Sequence, residues 1–67
     1  MRIQLPGGYI ESTPETWRDS ATNEVKPYWL AVSAYGRPTE CFYTRGLAEY
    51  TIWVNHERIA SEAARKR

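Results

Sequence analysis

Sixty-seven residues with 42% apolar side chains, 25% charged ones and a net charge of +1 describe a single small folded domain, well outside the composition of disordered chains. The near-neutral balance excludes strong non-specific attraction of the whole molecule to nucleic acid. One cysteine, Cys41, excludes an internal disulfide and points to a reducing, cytoplasmic setting, and no apolar run approaches the roughly 18 residues that span a bilayer.

At the start of the chain, RIQL and YIES flank Pro6-Gly7-Gly8, which reads as two extended pieces around a tight reversal: proline fixes one φ and glycine permits positive ones. The next stretch, STPETWRDS, has Ser12 with Glu15 three residues on and Pro14 between them. That pattern fits either a short helix with an N-terminal capping box or a polar loop anchored by Trp17.

KPYWLAVSAYGRPTECFY, residues 26–43, is the strongest strand signal. Pro27 opens it, β-branched and aromatic residues follow, and Gly36-Arg37-Pro38-Thr39 interrupts it before ECFYT. A hairpin over about 28–44 follows, with a loop of two or four residues that sets Tyr35 opposite Glu40 and Ser33 opposite Phe42. One face then carries Tyr28, Leu30, Val32, Ala34, Cys41 and Tyr43, and the other Trp29, Ala31, Ser33, Tyr35, Glu40, Phe42 and Thr44.

LAEYTIWV is ambiguous alone, since its residue types suit a strand while Leu47, Tyr50 and Val54 recur at helical spacing. Beyond Asn55, Ile59, Ala60, Ala63 and Ala64 mark one side of a helix that ends in the basic run Arg65-Lys66-Arg67. One helix over about 46–65 with Thr44 near its N-cap is favoured over a third strand and a shorter helix. The expected architecture is α+β: a small antiparallel sheet, made of an N-terminal strand or hairpin plus the central hairpin, packed on one C-terminal helix.

Catalytic and metal constellations are missing. HERIA at 56–60 begins like a zinc-protease helix, but Ala60 stands where the second histidine is required. Cys41 falls on the face assigned to the core, where a thiol is a small hydrophobe and not a nucleophile. The eight carboxylates are scattered, and Gly7-Gly8 lacks the flanking residues of a phosphate loop. No enzyme activity, cofactor or metal is expected.

If the helix covers the face of Tyr28, Leu30 and Val32, then Trp29, Tyr35 and Phe42 are left on an open face unless Tyr9, Ile10 and Trp17 fold over it. An open aromatic face predicts a protein-binding module with Trp29, Tyr35 and Phe42 as anchors and Arg37, Glu40 and Arg45 at the rim. A second copy of the chain would satisfy the same face as a homodimer. The alternative partner is single-stranded nucleic acid, stacked on the rings, with phosphates near Arg37, Arg45, Arg58 and the tail residues Arg65, Lys66 and Arg67. A small chain without catalytic residues is also the format in which phages encode inhibitors of host machinery.

Overall fold

In the computed structural model, which describes residues 1–65, RIQL forms β1 (Arg2–Leu5) and β2 runs over Gly8–Arg18. They pair antiparallel with Leu5 opposite Gly8, so Pro6 and Gly7 make the whole turn. Gly7 has φ +92°, and a Pro-Gly pair is what a type II turn favours at its two central positions. Gly8 must also be glycine: a Cβ there would stand 2.1 Å from the carbonyl oxygen of Val32.

The short helix or loop expected over residues 12–20 is corrected, because β2 continues through it to Arg18. Thr13, Thr16 and Trp17 are strand-forming residues. Three residues of β2 stand against the single residue Tyr28 between the pairs Ser12–Trp29 and Thr16–Pro27. This irregularity absorbs Pro14, which has no N–H to give to a ladder. The strand ends in a turn where the Ala21 amide donates to Asp19 Oδ1 at 2.9 Å and Asn23 takes φ +63°.

β3 (Val25–Ser33) pairs with β2, and β4 (Glu40–Phe42) pairs with β3, giving a four-stranded antiparallel sheet in the order β1-β2-β3-β4. The connection to β4 spans residues 34–39, longer than the two- or four-residue loop expected, and Trp29 faces Phe42 while Leu30 faces Cys41. The expected register is therefore displaced by four residues. The cause is local: Ala34 donates its amide to Gly7 O at 2.9 Å and Gly36 turns at φ +77°, so the β3 ladder to β4 stops short of Ser33.

α1 (Arg45–Arg65) is the helix expected over about 46–65. Thr44 caps it, accepting the Leu47 amide on Oγ1 at 3.3 Å. Ala48 and Ile52, one turn apart, are buried and join Ile10, Trp29 and Ala31 in the core, with Ile3, Leu5 and Phe42 packed against them. A fully buried aliphatic side chain such as Ile10 contributes about 1.5–3 kcal/mol, so a core this small leaves little surplus stability.

The helix lies on the opposite side of the hairpin from the one expected. Trp29 is only 8% exposed, and the side of Tyr28, Leu30 and Val32 faces away from α1. β1 and β2 decide this. Ile3 and Ile10 lie in register with Ala31, whereas Gln4 and Tyr9 lie in register with Val32, and Arg2 and Glu11 with Leu30. Once the four strands are joined, the Trp29 side is the apolar one. The N-terminal segment does not fold over the hairpin as a second layer; it extends the sheet edgewise.

Candidate functional site

Ile52 and Ala48 occupy the inward side of α1, so the residues half a helical turn away point outward. These are Leu47, Tyr50, Trp53 and Val54, which are 50%, 62%, 58% and 39% exposed. The Tyr50 and Trp53 rings lie 6.2 Å apart at 41°. The first half of α1 is thus apolar on both sides, one in the core and one uncovered.

Two grooves flank this ridge. One, of about 420 Å³, is lined by Leu5, Pro6, Gly46, Glu49, Tyr50 and Trp53. The other, of about 240 Å³, is lined by Arg37, Glu40, Tyr50, Thr51, Val54, Asn55 and Arg58. Tyr50 belongs to both and separates them.

The 34–39 loop is fastened to the helix beside the second groove. Tyr35 Oη lies 2.6 Å from His56 Nδ1, with the two rings stacked at 6.0 Å. Asn55 donates from Nδ2 to Ser33 Oγ at 3.1 Å, and its Oδ1 accepts from Arg37 Nη1 at 3.2 Å and Arg58 Nη2 at 3.0 Å. On the other side Arg45 is ion-paired with Glu49, one turn along the helix.

The six side chains expected to form one protein-binding face are thereby divided. Trp29 is in the core and Phe42 packs against it. Both point toward α1 and not away from it. Tyr35, Arg37 and Glu40 are exposed beside the helix, and Arg45 stands at its start. Cys41, expected in the core, is exposed on the edge strand, in register with Leu30 on the far side of the sheet.

The basic residues proposed for nucleic acid do not form one patch. Arg37 and Arg58 meet at Asn55, but Arg45 and Arg65 sit at opposite ends of a 21-residue helix, about 30 Å apart. Lys66 and Arg67 lie outside the described residues.

A second aromatic group lies on the far side of the sheet, where the Tyr43 ring lies 5.5 Å from both Trp17 and Tyr28 and Trp17 Nε1 donates to Tyr43 O at 2.8 Å. Tyr43 remains 60% exposed, so this group too shows an aromatic ring to solvent, but it offers one such ring where α1 offers a run of four apolar side chains. At its edge Lys26 lies over the Trp17 ring and pairs with Asp19 at 3.2 Å. Among the described residues no three His, Cys, Asp or Glu side chains cluster as metal ligands, and no helix is long and apolar enough to cross a membrane.

The site residues missed by sequence reading are Leu47, Tyr50, Trp53 and Val54, and Asn55 beside them. A signal was present: α1 carries two apolar stripes, Ala48-Ile52-Ile59 and Leu47-Tyr50-Val54, and only one of them can face the sheet. Compared with known proteins, the chain matches no protein-family model, no curated protein and no solved structure.

Proposed function

We propose that this chain is a non-enzymatic protein-binding module whose docking surface is the outward face of α1. The observation that carries the reading is the exposure of Leu47, Tyr50, Trp53 and Val54 along one helix face whose opposite side is already committed to the core. Contiguous exposed apolar surface on a small domain marks an interaction site, Trp and Tyr are the side chains that dominate interface energetics, and an apolar helix face is a recurrent way of entering a partner's groove. Inhibition of host machinery, of the phage-encoded kind, is the finer reading: a helix docked in this way acts by occupying a surface its target needs.

A second copy of the chain is the less suited occupant. An antiparallel two-fold pairing of α1 faces brings like edges together, and would set both Arg37–Arg58 pairs along one edge of the interface.

The test uses wild type and a Tyr50→Ala, Trp53→Ala double variant as baits in quantitative affinity capture from the source cell, after circular dichroism has shown both to be folded. Proteins retained by wild type and lost from the variant are the expected result. Identical capture by both baits, or sedimentation of the free chain as a dimer that the variant disrupts, overturns the reading.

A further inference from the structure

Arg37 and Arg58 come from different elements, a loop and a helix, yet both donate to the single amide oxygen of Asn55. Their donor nitrogens are therefore within about 6 Å of each other. Asn55 is not free to turn away, because its other amide end is held by Ser33 Oγ, which also accepts the Tyr35 amide at 3.0 Å. Two cations are thus brought together over a fixed neutral acceptor. Among the described residues neither is ion-paired with a carboxylate, although Arg2, Lys26 and Arg45 all are. Glu40 lines the same groove but lies beyond ion-pairing distance of both guanidinium groups.

Like charges held side by side repel, and each guanidinium keeps donors to spare after its bond to Asn55. An anion entering the groove accepts from both and removes the repulsion, and a carboxylate fits the planar guanidinium fork. The same groove shares Tyr50 and Val54 with the exposed apolar ridge.

We infer that the partner of this face is a protein segment that sets an aspartate or glutamate side chain between Arg37 and Arg58 while its apolar side chains cover Tyr50 and Trp53. This rests on the docking surface proposed above and specifies the chemistry of its occupant. The apolar groove beyond Tyr50, bordered by Leu5, Pro6 and Trp53, receives a neighbouring apolar side chain of that segment. Nucleic acid is the poorer occupant, because the cationic groups that would follow a phosphate backbone past this point are separated along the helix or neutralised by ion pairs.

The test is a titration of the isotope-labelled full chain, followed by NMR, with two amphipathic helical peptides that share the same Leu and Phe positions and differ in carrying Glu or Lys beside them. The expected result is that the Glu peptide binds at least about tenfold tighter than the Lys peptide and shifts the Arg37 and Arg58 side-chain resonances together with the Trp53 indole. Arg37→Glu with Arg58→Glu is expected to reverse the preference. Equal binding of the two peptides, no binding of either, or shifts at the arginines with oligothymidylate alone overturns the inference. Failure of the docking surface looks different. If Trp53→Ala leaves Glu-peptide binding unchanged, the helix face is wrong; if it abolishes binding while the arginine reversals do nothing, the face stands and the acidic partner does not.

Discussion

The backbone of Gly7 lies so close to His56 that a methyl group on Gly7 would stand 2.7 Å from the His56 Cβ. This approach seats the β1–β2 turn on α1, and it joins the positive φ of Gly7 as a second reason for glycine at that position. Gly7→Ala is expected to lower stability by at least about 1 kcal/mol, combining left-handed backbone strain with the clash. Urea unfolding measures it: the midpoint falls with an unchanged slope, and an unchanged midpoint contradicts the contact.

Trp29 and Trp53 separate core from surface in one comparison. Trp29→Ala empties part of a small core and is expected to cost about 3–5 kcal/mol, which rivals the whole stability of a domain this size. Trp53→Ala, on the exposed side of α1, is expected to stay within about 0.5 kcal/mol of wild type. Thermal melts followed by circular dichroism distinguish the two, and equal losses would refute the orientation of the helix.

Cys41 offers a chemical check on the same orientation. Because its side chain is exposed, the folded protein is expected to react with Ellman's reagent without denaturant, one thiol per chain. Protection until unfolding would place Cys41 back inside.

Asp19 gives the turn after β2 a dependence on pH. The hydrogen bond from the Ala21 amide, followed by that from Lys26, holds its carboxyl below the ordinary value of 3.8. A depressed carboxyl stabilises the fold fully above its unfolded value, and that contribution fades as pH falls through the lower, folded value. Asp19→Asn is therefore expected to flatten the acid limb of the stability profile without steepening it elsewhere. Denaturation midpoints from neutral pH down to about pH 2, through the range below 3.8 where the loss falls, test it; parallel profiles for the two proteins count against the assignment.

What could be read from the residues divides by range. Pro6-Gly7 announces its own turn, and Thr44 with the apolar spacing beyond it announces α1, because each signal lies within a few residues of the structure it specifies. The register of β3 with β4 was displaced by four because Ala34 bonds to Gly7, a partner 27 positions back in the chain. An even displacement keeps every side chain on its face, so Trp29 and Phe42 were correctly grouped. The side that turns inward was misjudged because the hairpin alone has aromatic residues on both faces. The polar Arg2, Gln4 and Glu11 of β1 and β2 break that tie, and they do so only after the strands are laid side by side.

Each strand of the sheet pairs with the one next to it in the chain, and the longest interruption between successive strands is six residues. The sheet can consequently assemble by a series of short ring closures, while the core closes only when α1 comes back onto the β1–β2 turn, where His56 meets Gly7. Early pairing of strand edges is the expected consequence, leaving them little time to meet the edges of other chains, which matters most for a protein with so thin an interior.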